Sequence, residues 1–502
     1  MQGKNEFEGR LFCDINIMEL IGEDHLLVRL DDALDLDWIR EATRGYYSHT
    51  GRPSVDPVAL VKMMLIGYLY GIPSERRLAE EVRLNIAYRW FSGYNLDEET
   101  PNHSVFSKAR ARFGRDLFLL VFKEVLSRCA EAGLLKGDAL LVDCTIIDAD
   151  ASMKSLVELS GSPEEYWRKL DEEEETKSSR GRKPGGGSED RLGKHFQGEK
   201  ADPEKMGKRR TKKSASYLNR KSTSDPDATV YFQPGRGVSL AYKVHVAADT
   251  SGIITAVAAT PSAVHETSKL PELLDSHEES LPLPPAIAAD SKYGTDEALI
   301  FLQEEKGMKT AIPLPGDFKK GKRFPREQFT YDEDSDSYTC PAGKTLKRKT
   351  ISTKKKIVIY RGNPEDCLSC ALRHKCMGKT AKARHLARPY GKVRENAEEF
   401  KCSDKGMELL AARKTVLEGL FGEAKRCHGL RRAKQRGVEK VEVQALLIAT
   451  ALNIKRLLKG LEQTTGGAKS IIASSLTGFV DHLLRALSSP KWRLILVQCH
   501  FQ

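Results

Sequence analysis

The sequence predicts a mixed α/β protein: an N-terminal all-helical domain, then a mixed sheet flanked by helices and interrupted by insertions. Three observations predict it. From Pro53 to about Gly133 apolar residues recur at helical spacing, and at Ala139 the pattern turns to short apolar runs. Beyond Val230, strand-like and helix-like segments alternate. The chain has 502 residues, too many for one domain at about 150 residues each.

Residues 1–50 read as a lead-in with one or two short helices. Val58, Val61, Met64, Leu65 and Tyr68 then mark a helical face, Ser74 caps a helix through Val82, and Asn102 or Ser104 starts another that ends before Arg115. A last helix covers Asp116 to Ala132. Ala139 to Asp143 reads as a buried strand ending in a carboxylate. The stretch of about 161–225 carries charge blocks and few aliphatics, so a mobile charged insertion is expected there. Ala241–Ala248 and Gly252–Thr260 alternate as two strands, followed by a helix near Glu266 to Ser276. A strand Ala286–Ala289 ends at Asp290, Thr295 caps a helix, and Met308–Leu314 is a fifth strand. The order is an antiparallel meander feeding parallel strands. Residues 318–400 are Lys-rich and punctuated by cysteines; helices return at Lys405–Leu430 and Val441–Leu458. The expected domains are 1–135, 136–317, 318–400, 401–460 and a tail, 461–502.

Lys and Arg number 81 against 70 Asp and Glu, a formal charge of +11. That balance suits a polyanionic partner. No apolar run is long enough to cross a bilayer, and the start, MQGKNEFEGR, lacks a signal-peptide core, so a cytoplasmic location without membrane contact is expected. There is no phosphate-binding G-x-x-x-x-G-K-[ST] loop, no G-x-S-x-G elbow and no HExxH helix.

Asp143 and Asp290 both end predicted strands, where catalytic groups of open α/β sheets collect. A third acid would complete a site for two Mg²⁺ ions, which sit about 3.5–4 Å apart and need carboxylates from separate elements. Glu418 is the candidate, on a helical face with Lys414 and Lys425. Taken singly, each acid reads equally as a surface or ion-paired residue.

Five stretches carry a resemblance: GRPSVDPVALVKMMLIGYLYGIPSERRLAEEV, LLVDCTIIDADAS, YKVHVAADTSGIITAVAATPSAVHE, AADSKYG and VLEGLFGEAKRCHGLRRAKQRG. In this order they resemble a DDE transposase of a bacterial insertion sequence, of the branch with an N-terminal helical domain and a cysteine-bearing insertion. The resemblance implies a ribonuclease-H-like core and a site of two aspartates and a glutamate, hence Asp143, Asp290 and Glu418 as catalytic metal ligands. It implies two Mg²⁺, replaceable by Mn²⁺, acting in cleavage at the element's ends and strand transfer into target DNA. The family signature around the glutamate runs tyrosine, two residues, arginine, three residues, glutamate, six residues, lysine. Here Ala411 replaces the tyrosine and Lys414 the arginine, while Glu418 and Lys425 match. Glu423 is a rival acid at the wrong spacing. The family's histidine–aspartate pair appears as His265-Glu266, with His265 either near the metals or simply starting a helix.

Lys425, Arg426, Arg431, Arg432, Lys434 and Arg436 crowd the segment beyond Glu418 and suit a DNA backbone. Arg76, Arg77, Lys108, Arg110 and Arg112 lie on the early helices, either as DNA contacts of helix-turn-helix type or as a solvated face. Cys340, Cys367, Cys370 and Cys376, spaced C-x26-C-x2-C-x5-C, suit one structural Zn²⁺ or stand as unliganded thiols. The expected partners are double-stranded DNA, as inverted-repeat ends and target, and further copies of the chain, a homodimer or higher in a synaptic complex. The expected setting is the bacterial nucleoid. The competing expectations are a domesticated or inactive transposase that regulates by DNA binding, and a nuclease that cuts without joining.

Overall fold

The computed structural model describes residues 16–465, apart from 49, 51–53, 159–219, 234–236, 315–323, 325–327, 353–356, 379 and 390–391. The charged insertion expected at about 161–225 and the tail expected at 461–502 lie outside the described residues except for 220–225 and 461–465.

The amino-terminal third is helical: α1 Ile17–Ile21, α2 Leu26–Ala33, α3 Trp38–Thr43, α4 Pro57–Leu69, α5 Glu75–Leu84, α6 Ile86–Phe91 and α7 Ser104–Glu131. Local chemistry explains the starts. Asp56 accepts from the Val58 N–H at 2.9 Å ahead of Pro57, and Ser74 accepts from Arg77 at 3.2 Å. Helix α4 is buried nearly all round, so it is the centre of this layer. The two helices expected on either side of Arg115 are one stretch broken at Gly114, whose φ of 68° leaves the helical region. The lead-in is more than a lead-in, because Leu27, Leu30 and Ile39 are fully buried in the main core.

The principal sheet comprises β1 Leu140–Asp148, β4 Thr229–Gln233, β5 Gly237–Asp249, β6 Ile254–Pro261, β7 Ala286–Ala289 and β8 Lys309–Ala311. A two-stranded ribbon, β2 Leu156–Glu158 and β3 Arg220–Ser222, lies between β1 and β4 in the chain. Long β5 is the hub: it pairs antiparallel with β1 along one edge and with β4 and then β6 along the other. Beyond β1, β7 and β8 follow in parallel, each reached through a helix, α8 Leu270–Glu278 and α9 Asp296–Ile300. The antiparallel meander feeding parallel strands is therefore present. One expectation is corrected: β1 does not end at Asp143 but runs to Asp148, because β5 pairs with it over its whole length.

Alternate residues of β1 and β7 enter two cores. Leu140, Val142, Ile287 and Ala289 face α8 and α9, whereas Leu141 and Ala288 face the carboxy-terminal helices. The Lys-rich, cysteine-bearing segment, short of long helices in its sequence, folds as a five-stranded antiparallel sheet. Its strands are β9 Thr330–Asp332, β10 Ser337–Thr339, β11 Thr345–Ser352, β12 Ile357–Gly362 and β13 His385–Pro389. Helices α10 Pro364–Leu368 and α11 Arg373–Cys376 interrupt it, and its small core is Phe329, Tyr338, Leu346, Tyr360 and Leu386.

The described chain closes with α12 Val393–Cys402, α13 Asp404–Cys427 and α14 Val438–Thr465. Helix α14 packs on α7, α4 and β6, so the helical layer and the sheet share one core from Leu27 to Leu458. At its middle, buried Asn453 hydrogen-bonds both the N–H and the C=O of Ile254, at 2.9 and 2.8 Å. An amide side chain thus completes the end of β6 as another strand would.

Candidate active site

The parallel ladder between β1 and β7 ends at the pair Val142–Ala289. One step further lie Asp143 and Asp290, side by side and on the face that looks toward α13. Asp290 is held by capping the turn Ser291–Tyr293, its carboxylate accepting from the Lys292 N–H at 3.1 Å. Asp143 accepts from the Cys144 N–H at 2.7 Å and pairs with the Arg413 guanidinium at 2.6 Å. Burial raises the Asp143 carboxyl above its ordinary range, and the neighbouring Asp290 adds to the rise. The Cys144 N–H and Arg413 oppose it without cancelling it. Tyr293, fully buried beneath, keeps its proton far above the usual range, first by burial and then by the surrounding thiol and carboxylates.

The other face of β1 carries a second charged group. Glu266 is 4% exposed and receives two ammonium groups on the same oxygen, Lys243 at 3.0 Å and Lys292 at 2.8 Å. Burial by itself would raise this carboxyl, but the two lysines overcome it and hold it down to about 2. The Cys144 thiol lies 3.9 Å from the same oxygen and is pushed up to about 12 by burial and the adjacent acids. His265 stays outside this group. It caps its own turn, accepting from Thr267, and its neighbour is the residue that enters the site.

Glu418 is exposed and makes no hydrogen bond or ion pair among the described residues. Leu417, Leu420 and Ala424 turn the buried face of α13 inward. Arg413, about 140° round the helix from Glu418 at 100° per residue, is the side chain that reaches Asp143. Among the described residues no group of three or more His, Cys, Asp or Glu is arranged to hold a metal. The rival acid Glu423 is occupied by Lys455 and by Arg456 at 3.4 Å, with His428 at 3.7 Å.

The basic residues divide. Arg76, Lys108 and Arg426 are exposed, without a hydrogen bond or ion pair among the described residues. Arg112 is exposed with its guanidinium 4.7 Å over the Tyr47 ring, and Arg77 is tied to Glu80 and Glu81. Lys425 is half-buried at the end of α13. Arg431, Arg432 and Arg436 are exposed on a loop that joins the end of β1, where the Asp148 N–H donates to Arg431 and Ala433 donates back. Asp150 pairs with Arg432 at 3.2 Å and Arg436 at 3.4 Å. Two of the expected DNA contacts are engaged within the chain. Arg110 is turned inward onto Glu75, its side chain 10% exposed. The Lys434 ammonium donates to the Ile72 carbonyl at 3.0 Å and lies 4.6 Å over the Tyr68 ring. Both tie the helical layer to the segment after α13.

Cys340, Cys367, Cys370 and Cys376 are free thiols that line one small cavity with Lys344, Asp366, Arg373 and Arg384. The Lys344 N–H donates to the Cys340 sulfur at 3.3 Å. Burial raises the Cys376 thiol, Arg384 opposes, and the three other sulfurs raise it further. The four cysteines are thus gathered from a hairpin and two short helices.

Two family models match the chain. Residues 15–112 match a transposase domain (DUF772), and residues 339–458 match a transposase DDE domain. The two matches support a DDE transposase of an insertion sequence. The second match contains Glu418 and the four cysteines of this transposase but neither Asp143 nor Asp290. No curated protein and no solved structure matches the chain. No helix among the described residues is long and apolar enough to cross a membrane.

Reasoning from sequence missed Lys243, Lys292 and Arg413, and named Glu266 only as the neighbour of His265. The signal was partly there. Lys243 stands inside an apolar alternating strand, and a lysine so placed calls for a carboxylate partner.

Proposed function

We propose that this transposase cuts DNA at the ends of its insertion sequence and joins the freed ends to target DNA, with Asp143 and Asp290 as ligands of a divalent cation. The observation that carries this reading is the register that sets the two carboxylates side by side where parallel pairing stops. A ribonuclease-H-like interpretation of the sheet, three antiparallel strands feeding two parallel ones, accounts for that placement. The donor set fits Mg²⁺ or Mn²⁺, being hard carboxylate oxygen on a half-buried ledge. Glu418 does not fit as α13 stands, and it becomes the third ligand only if α13 turns or shifts. A divalent ion held by Asp143 and Asp290 would supply an acidified water and charge stabilisation at the leaving 3′ oxygen.

The residues of the chain do the rest. Asp290 is held by its own turn, Tyr293 is buried beneath, and Arg413 holds Asp143, one of the two carboxylates that would bind the cation. Arg76, Lys108 and Arg112 on the helical layer, and Lys425, Arg426, Arg431, Arg432 and Arg436 after α13, carry the DNA backbone. Handling two ends together calls for at least two copies of the chain.

The test is a supercoiled plasmid bearing the repeats that flank the gene, incubated with protein and Mg²⁺ or Mn²⁺. Metal-dependent nicking at the ends, with a strand-transfer product, lost in Asp143→Asn, supports the reading. Cutting without joining points to a nuclease. Binding without cutting points to a regulator, which the Arg413–Asp143 pair and the outward Glu418 would favour. The four cysteines line one cavity without being arranged to hold a metal as they stand, and we assign them, drawn closer together, to one structural Zn²⁺ that would staple the small insertion sheet. One equivalent of zinc in the purified chain, released by thiol modification, supports that assignment. Two disulfides or a metal-free reduced protein would end it.

A further inference from the structure

We infer that Lys292 is the cation that receives the phosphoryl group of the strand being cut, and that buried Glu266 acts through it as a positioning residue. The inference rests on the phosphodiester reading of Asp143 and Asp290.

Glu266 and its two lysines make a cluster with one positive charge in excess. Lys243 accounts for the neutral part. Its side chain is 8% exposed, and it divides its donors between Glu266 at 3.0 Å and the Val264 carbonyl at 2.6 Å. That pair balances the charge of the buried carboxylate. Lys292 is different: it reaches the same oxygen at 2.8 Å while its side chain is 54% exposed. A second ammonium on one carboxylate oxygen repels the first, so a purely structural pair has no use for it. Its donors are not exhausted either, for an ammonium has three and Glu266 takes one.

Position supplies the rest of the argument. The backbone N–H of Lys292 donates to Asp290 at 3.1 Å, so its Cα is tied to one of the two site carboxylates. A lysine side chain free in solvent samples many rotamers. Anchored to a buried acid on the other face of β1, this one holds its charge within electrostatic reach of Asp143 and Asp290 before any substrate arrives. A group that brings negative charge to Asp143 and Asp290 needs such a fixed cation, and a phosphate oxygen completes the ammonium's donor set.

The experiment uses the full chain and a duplex carrying the terminal repeats that flank the gene. Cleavage turnover and KM are measured separately for Lys292→Gln, Lys292→Arg and Glu266→Gln, with Asp143→Asn as control. Lys292→Gln is expected to lose turnover on the order of 100-fold while still folding, with a lowered melting midpoint because Lys292 shares in holding Glu266, and Lys292→Arg to recover most of the turnover. Glu266→Gln is expected to lose less, since it loosens the cation without removing it. The inference is overturned if Asp143→Asn is dead while Lys292→Gln cuts at the parental rate. It is equally overturned if Lys292→Gln unfolds the chain and Lys292→Arg restores folding but no cleavage. Full cutting by Asp143→Asn would instead overturn the reading beneath it.

Discussion

Arg413 and Asp143, 270 residues apart in the chain, are joined at 2.6 Å from helix α13 to strand β1. Their side chains are 19% and 22% exposed, so the pair is largely desolvated. The guanidinium stands where a divalent cation would approach Asp143.

Replacing Arg413 by Gln should therefore act in two directions. Without divalent ions the Asp143 carboxylate loses its partner and the melting midpoint should fall, as expected when one half of a desolvated pair is removed. With Mn²⁺ the competing charge is gone, and affinity should rise by about tenfold, the scale of one nearby charge in a partly screened site. Calorimetric Mn²⁺ titration of parent and variant reads both effects. Unchanged Mn²⁺ affinity would mean that the ion does not use Asp143.

Glu266 gives a pH signature. Its carboxyl, held at about 2 by Lys292 and Lys243 against burial, lies below its unfolded value of about 4.3. A depressed acid contributes stability that is present above the unfolded value and is lost as pH falls through the folded one. The window is thus roughly pH 4.3 down to 2, and the contribution is on the order of 3 kcal/mol. Glu266→Gln should remove that component and flatten the acid arm of a stability–pH curve from chemical denaturation. An acid arm of unaltered slope would show that the lysines do not hold this carboxyl down.

How much of this was legible depends on where each residue finds its partner. The short run Ala286–Ala289 announced a buried strand and delivered Asp290, because burial on both faces is written in four consecutive apolar residues. The start of α5 was legible because capping is local, in Ser74; the start of α4, capped by Asp56, was not read from the sequence. The end of β1 was not, since it is set by pairing with β5, about a hundred residues away in the chain. The insertion sheet escaped notice because most of its strands are short and polar outside, with a core of five scattered residues. At His265-Glu266 both residues were in view. The histidine is satisfied within its own turn, whereas the acid is chosen by lysines on β5 and beyond β7. Ion pairs of that separation leave no periodic mark. Glu418 was named from its spacing in a motif, which carries no information on which way α13 faces.

Asn453 tests the joint between α14 and the sheet. Asn453→Leu keeps the volume but leaves the N–H and C=O of Ile254 buried without partners. A cost of about 2–4 kcal/mol follows from two orphaned backbone groups. A midpoint in urea equal to that of the parent would show that water replaces the amide there.

Gly71 tests how the helical layer meets the helix that bears Glu418. It has a φ of +65°, and a Cβ added to it would lie 2.2 Å from the Cys427 carbonyl oxygen. Next to it, the buried His428 ring nitrogen lies 2.6 Å from the Tyr68 carbonyl, so the end of α13 is seated on the end of α4. Gly71→Ala meets both obstacles, an unfavourable backbone conformation and an immovable carbonyl. The expected loss is about 2–4 kcal/mol, seen as a lower melting midpoint. Because the clash is with the last turn of α13, amide exchange should quicken there and in α4 before it quickens in the insertion sheet. Uniform acceleration throughout the chain would mean that the two helices do not meet as a local joint.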